Sequence, residues 1–303
     1  MLTKRKRRIL FYGSIAIFAA VLFPIILYSL GYGITRSLQI KKTGGIYIEA
    51  SEGGADVFAE GKHKRTSLIG KSALIKNLLP GAYKVSVEKE GFWKWEKTLD
   101  VSSKMVEARN VLLMPKNIDG EVLGTSSPEI VKLKPPLPSV KKFWLIPNTP
   151  DFLILGEDKK FYRNKDQFNV EKNFGAEVAE ILIGKKQSVF DETFSRLIYW
   201  DGSVIDSFWF EDRDKMPQWQ KEPHQRIGPL RPAGAIRQVF SYPDWPDWLL
   251  VEMSNGVFAL EMDISGGQNV FPIYKGKKPE IVSMEPDTLI LKDDGNFLKI
   301  TLP

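Results

Sequence analysis

The chain has 303 residues, enough for two modest domains, with no cysteine and only two histidines, His63 and His224. This excludes a disulfide framework, thiolate metal sites, a cysteine nucleophile and a lipidated cysteine. Any histidine-ligated metal centre or Ser–His–Asp triad would have to use one of two residues in unrelated surroundings. The net charge of +6 is concentrated in Lys4, Arg5, Lys6, Arg7 and Arg8, and the remainder is nearly balanced, whereas a nucleic-acid partner calls for basic residues gathered on a folded surface.

Residues 1–8 read as a basic cytoplasmic tail and 9–32 as a transmembrane helix. No residue from Ile9 to Leu30 is charged. As a helix that run is roughly 33 Å long, against a hydrocarbon core of about 30 Å. Pro24 lies inside it, which transmembrane helices tolerate. A cleaved signal peptide is the competing reading, but its apolar core is about 7–15 residues and ends at a small-residue cleavage site. Here the run is longer, and the following "GYGITRSL" offers no such site. The reading is therefore an uncleaved anchor. The five charges before the helix, against Arg36, Lys41 and Lys42 after it, place the N-terminus in the cytoplasm and the bulk of the chain outside the cell membrane.

Residues 43–115 alternate as short strands. "GGIYIEAS" and "ADVFAEGK" are followed by "KSALIKNL", the Pro80–Gly81 turn, "YKVSVEKEG", "FWKWEKTLDV" and "MVEARNVLLM". Six or so short strands predict a small β-sandwich. The turn Ser51-Glu52-Gly53-Gly54-Ala55 leads into Asp56-Val57-Phe58-Ala59-Glu60-Gly61. Later come Leu78-Leu79-Pro80-Gly81-Ala82-Tyr83, Gly91-Phe92 and Trp95. On these residues the segment, about a quarter of the chain, resembles the PEGA domain family. It departs from the family pattern in lacking the proline of the first turn and in carrying Phe92 for the commoner tyrosine. The resemblance implies a β-sandwich of cell-surface and envelope proteins with no catalytic residues, and it makes Trp95 structural. Trp93 shares its face under strict alternation, so both read as packing residues.

Residues 116–139, with Pro128, Pro135, Pro136 and Pro138, read as a Pro-rich linker, part of which could pack as an edge strand. From 140 to 303 a weak repeat of hairpins begins near Asp151, Ser195, Asp247 and Asp287. The spacing is about 40–50 residues, the length of a propeller blade. It predicts a β-propeller-like domain of about four β-meander blades. A sandwich or an open, curved stack of meanders is the alternative. The segment "EDRDKMPQWQKEPHQRIGPLRPAGA" reads as an insertion.

Catalytic motifs are missing, so the chain reads as non-enzymatic, with no cofactor and no metal. "KDDGN" at 292–296 lacks calcium-loop ligand spacing and reads as a tight hairpin turn. His224 reads as a surface histidine, and the loop carboxylates as solvated. The aromatics are the functional lead. Trp219, Tyr242 and Trp245 are the candidate contacts to a partner or ligand, with Trp219 and Trp245 expected to be exposed and Trp248 expected in the core. The expected function is protein interaction or envelope association, with an envelope protein or cell-wall glycan as partner and the membrane engaged through one helix. A carbohydrate-binding or glycan-processing surface protein is the alternative, and would require an aromatic-lined groove with convergent acids.

Overall fold

The N-terminal apolar run forms one helix, α1 (Lys4–Ser29), in a computed structural model that describes residues 4–303 apart from 36, 126–133, 218, 230–233 and 286. Arg36, the 126–133 portion of the expected linker, and positions 218 and 230–233 of the insertion thus lie outside the described residues. The helix is long and apolar enough to cross a membrane and buries none of its residues in the protein. Its hydroxyls are satisfied internally: Ser14 Oγ donates to the Phe11 carbonyl at 2.8 Å and Ser29 Oγ to the Ile25 carbonyl at 2.9 Å. The expected span of 9–32 is corrected at its end. Gly31, at φ +77°, takes the chain out of the helix, and Tyr32 already belongs to a strand.

The chain divides into two compact units, Met1–Leu113 and Met114–Pro303. In the first, β1 (Tyr32–Ile34) and β2 (Ile40–Lys42) form a small hairpin that the sequence reading did not anticipate. Seven strands follow: β3 (Gly44–Ala50), β4 (Asp56–Ala59), β5 (Lys62–Arg65), β6 (Ser72–Leu78), β7 (Gly81–Glu88), β8 (Trp95–Val101) and β9 (Val106–Val111). They form two sheets, in the orders β6-β3-β9 and β5-β4-β7-β8, with β3 and β9 parallel. Alternation accounts for the core. Ile46, Ile48 and Ala50 of β3 are buried, as are Val85 and Val87 of β7. On β8 the buried positions are Trp95, Lys97, Leu99 and Val101, with Thr98 and Asp100 exposed between them. Trp95 is fully buried, as expected of a packing residue, while Trp93 is half-buried. Gly91, at φ +83°, bends the chain before β8, and the half-buried Phe92 ring is covered by Lys89 Nζ at 4.8 Å from its centroid.

In the second unit β10 (Gly120–Gly124) comes first. One sheet then holds β11 (Val140–Leu145), β12 (Phe152–Gly156), β13 (Phe161–Arg163) and β14 (Asp166–Gln167). Helices α2 (Val170–Phe174) and α3 (Ala176–Ile183) intervene, started by Asn169, whose side chain accepts from Lys172 N. The second sheet is β15 (Gln187–Phe190), β16 (Arg196–Trp200), β17 (Ile205–Trp209) and β18 (His224–Gly228). The third is β19 (Ile236–Tyr242), β20 (Trp245–Met253), β21 (Gly256–Glu261) and β22 (Val270–Lys275). The fourth combines β23 (Glu280–Glu285), β24 (Thr288–Asp293) and β25 (Asn296–Thr301) with β10, in the order β10-β25-β24-β23.

The protein is therefore mainly β, with four-stranded antiparallel meanders of the kind that make propeller blades. The predicted hairpins are the second and third strands of each blade. In β12, β16 and β21 their apolar character has a physical origin: both faces of the strand are covered. In β16 all five residues are buried, Leu197 in a cluster with Trp144 and Leu153 of the first blade, Ile198 in a cluster with Leu249 and Val251 of the third. Pro272 sits on β22, the outermost strand of its blade, where no further ladder needs its missing N–H.

The Pro-rich linker is corrected in part. Residues 120–124 pair with β25, Gly120 opposite Ile300 and Val122 opposite Leu298, so the unit includes a strand upstream of the predicted 140–303 boundary. That strand is an edge strand of its sheet, as the linker reading allowed for part of the segment, and its pairing partner lies far away in sequence. The turn in "KDDGN" is a two-residue hairpin, with Asp294 at φ +50° and Gly295 at φ +83°.

Candidate functional site

The first strands of the second and fourth blades are entered from basic loops. Gly184-Lys185-Lys186 precedes β15 and Gly276-Lys277-Lys278 precedes β23, while Arg237 is the second residue of β19. Lys277, Lys278 and Arg237 line a recess of about 500 Å³, whose wall also holds Gln187, Glu252, Glu280, Lys292, Asp293 and Asp294. A second recess of about 260 Å³ shares Gln187 and Arg237 and adds Lys185, Lys186, Trp200 and Asp201.

Hydrogen bonds from the basic side chains stitch neighbouring blades. Lys142 Nζ on β11 donates to the Leu182 carbonyl at 3.1 Å and to the Gly184 and Lys186 carbonyls, at the C-terminal end of α3. Burial, reinforced by Lys141, holds its pKa below the usual lysine range. Arg237 Nη1 donates to the Pro279 carbonyl at 3.2 Å. The Trp200 indole donates to the Arg237 carbonyl at 3.3 Å.

The carboxylates of the recess are largely committed inside the fold. Asp293 accepts from Tyr274 OH at 3.0 Å, Lys277 N at 3.1 Å and Lys278 N at 2.9 Å, which locks the β22–β23 crossover. Burial alone would raise its pKa, but those three donors outweigh it and hold the carboxyl below its ordinary range. Glu252, almost fully buried, accepts from Ile281 N at 2.8 Å; burial raises its pKa against that bond and the opposing pull of Arg237. Asp201 is held low by the Ser203 N–H and hydroxyl, and Asp294 pairs with Lys277 at 2.8 Å. Lys186 is paired with Asp206 at 3.0 Å. Lys185, Lys278 and Lys292 form no ion pair among the described residues, although Lys292 lies 5.6 Å from the Phe297 ring centroid. The recess therefore presents cations to solvent beside the exposed Glu280 and the Lys277–Asp294 pair, while Asp293 and Glu252 serve as internal acceptors. Among the described residues no group of three histidine, aspartate or glutamate side chains is placed to hold a metal ion.

The aromatic candidates lie elsewhere. Tyr242 and Trp245 flank the turn at the far end of β19 from Arg237, with Tyr242 five residues and about 17 Å along the strand. The expectation that Trp219 is exposed is corrected: it is 7% exposed. The insertion folds back so that the Trp219 ring lies 5.0 Å from the Arg196 guanidinium, with Trp209 at 5.4 Å from the same group. Its indole N–H donates to Asp247 at 3.0 Å. Arg196 is itself buried, donates to Met262 Sδ at 3.1 Å, and has its pKa lowered by burial despite Asp191 and Asp247 nearby. Tyr242 is also buried, its hydroxyl directed to the Pro303 carbonyl at 3.4 Å, and burial raises its pKa. Trp245 is half-exposed, and Trp248 is buried as expected, stacked on Phe271 at 5.6 Å. His224 is exposed at the start of β18 and hydrogen-bonds Tyr199, whose hydroxyl is pushed up to about 12 by burial and by Asp206. His63 stacks on Phe58 and pairs with Asp56 at 2.9 Å.

The aromatic signal thus pointed to packing at one end of the blades. The signal that marks the two recesses is the repeated Gly-Lys-Lys before a strand, which the sequence reading did not use.

No protein-family model matches the chain, and no curated protein matches it. Among solved structures, the AfRom2 CNH domain aligns with a TM-score of 0.32 at 9% identity, covering 80% of this chain and 71% of that one. A luciferin-regenerating enzyme aligns with a TM-score of 0.29 at 12% identity, covering 74% of each chain. The fold description rests on the sheets themselves.

Proposed function

We propose that this chain is a non-enzymatic cell-envelope protein, held in the membrane by an uncleaved α1, that presents a PEGA-like sandwich and a propeller-like unit outside the cytoplasmic membrane. The PEGA-like reading rests on the residues quoted from 51 to 95, and the two-sheet arrangement with Trp95 in its core fits it. The propeller-like unit binds an acidic surface of an envelope protein or cell-wall glycan through the two recesses that share Arg237, one with Lys278 and the other with Lys185. The observation that supports binding over catalysis is that Asp293, Glu252 and, in the second recess, Asp201 are engaged by the protein's own donors, while Lys278 and Lys292 face outward together with one exposed acid, Glu280. A pair of carboxyls for acid–base work needs both free to exchange protons with a ligand, and among the acids that line these recesses Glu280 is the one with neither a hydrogen bond nor an ion pair among the described residues. The glycan-processing alternative gains no support from these recesses, because Trp200 is the one aromatic among their lining residues.

A photo-reactive residue placed at Gln187 in the full chain tests this in cells. The expected result is a discrete covalent adduct that disappears with the double substitution Arg237→Glu and Lys278→Glu. Adducts unaffected by charge reversal, or none at all, would remove the recesses as the binding site.

A further inference from the structure

The first unit carries a second patch for which the fold itself supplies no cover. At the end of the sandwich where α1 arrives, three segments are tied together. The Gly31 carbonyl, just past the helix, accepts from both Thr43 N and Thr43 Oγ1 at 2.8 Å. The loop before β9 joins them: Lys104 N donates to the Thr43 carbonyl at 3.0 Å, Gly45 N to the Met105 carbonyl at 3.0 Å, and Ser103 Oγ to the Lys42 carbonyl at 3.0 Å. The helix end, the β1–β2 hairpin and the 102–105 loop thus form one base.

That base is apolar and cationic at once. Ile34, Leu38, Ile40 and Met105 are each more than half exposed, Leu38 at 84%. Lys41 and Lys104 stand exposed among them, and no aspartate or glutamate occurs at 30–48 or 101–106. Lys42 lies 5.3 Å from the Tyr32 ring centroid, a cation beside an amphipathic aromatic. A water-facing surface gains nothing from four large apolar side chains in one patch, whose flanking acids are Glu49, Asp100 and Glu107. A lipid headgroup region accommodates both: apolar side chains reach the acyl boundary, tyrosine sits at headgroup depth, and lysines meet anionic phosphates.

We propose that this base is a membrane-seating surface, which docks the sandwich onto the anionic outer face of the same bilayer that α1 crosses. The occupant follows from continuity. β1 begins three residues beyond the end of α1, so the hairpin cannot leave the interfacial zone of a helix that ends there. The sandwich is then held upright by contact as well as by its tether. The opposite end of β3, where the Ala50 N–H meets the Lys71 carbonyl, is about 20 Å farther out along the strand. The exposed Ile69 in the adjoining turn would remain in water.

This inference rests on the reading of α1 as an anchor, and one experiment separates the two. The chain has no cysteine, so single thiols are unambiguous. Full-length protein with Ile17→Cys, Leu38→Cys, Met105→Cys or Ile69→Cys, each carrying an environment-sensitive fluorophore, is reconstituted into phosphatidylcholine–phosphatidylglycerol vesicles containing a lipid-attached nitroxide quencher. The expected result is strong quenching at 17, and quenching at 38 and 105 severalfold above that at 69. Quenching at 17 with 38 and 105 no different from 69 overturns the seating surface and leaves the anchor intact. Absence of quenching at 17 overturns both.

Discussion

The two units hold themselves together by different means. The sandwich core is mostly aliphatic around one tryptophan, Trp95, with Lys97, Thr66 and Ser86 as its buried polar members, and all of its strands come from one continuous segment of about 70 residues. The propeller-like unit has apolar layers between its blades, but it is also stitched by buried polar groups: Asp293 across the β22–β23 crossover, Glu252 on Ile281, and Arg196 between Trp209 and Trp219. Its last blade is completed by β10, from upstream of every other blade. A local sandwich can be read as alternation, because burial decides each position. A radial stack must also join sheet to sheet and first blade to last, and those joints use residues that hydropathy does not single out.

The sharpest way to break this contrast is to remove the remote strand. A fragment of residues 114–303 should unfold cooperatively, whereas 140–303, which lacks β10, leaves the β25 edge bare and should aggregate or lose its cooperative thermal transition. Equal thermal stability of the two fragments would show that β10 is ornamental. In the sandwich the largest single effect should come from Trp95→Ala, at about 3–5 kcal/mol, because a cavity opens in a fully buried aromatic site. Denaturant unfolding of the full chain, followed by a probe in each unit, would assign that loss to the sandwich.

Asp293→Asn tests the polar stitching and should cost about 1–3 kcal/mol, since the amide turns an N–H towards donors that the carboxylate accepted. Its pH dependence has a definite sign. The folded carboxyl lies below its ordinary value, so its contribution is complete above the unfolded value of about 3.9 and is lost as pH falls through the folded one. The wild-type unit should therefore lose stability in acid over a window in which the Asp293→Asn variant is flatter. Glu252 has the opposite sign: burial raises it, so its effect erodes stability as pH rises through the folded value. The smallest effect belongs to the exposed Lys84–Glu96–Lys94 network on the sandwich, with contacts of 2.6 and 3.0 Å. Lys84→Gln should change stability by less than about 1 kcal/mol, and less at high salt.

These differences also explain what was legible in the sequence. The second and third strands of the blades showed through because they carry apolar runs, buried on both faces in β12, β16 and β21 and on one face in β24, and tight turns join them, as at Asp294–Gly295. Helices α2 and α3 were missed although Asn169 offers a capping residue and Val178, Ala179 and Leu182 fall on one face, since a five-residue and an eight-residue helix carry little period. The aromatic lead failed at Trp219 because its environment is a cation, Arg196, brought from another strand. The recesses were overlooked because Lys185 and Lys278 look like ordinary solvated lysines until the fold sets each in a recess with Arg237.

The central claim is that α1 stays in the membrane and carries both units on its outer side. Single thiols at Lys6→Cys and Lys278→Cys test it in spheroplasts with a membrane-impermeant maleimide. The account predicts full-length membrane-bound protein, with modification at 278 before lysis and at 6 only after it. Modification at 6 before lysis, protection of 278, or a chain that begins beyond residue 30 would contradict it.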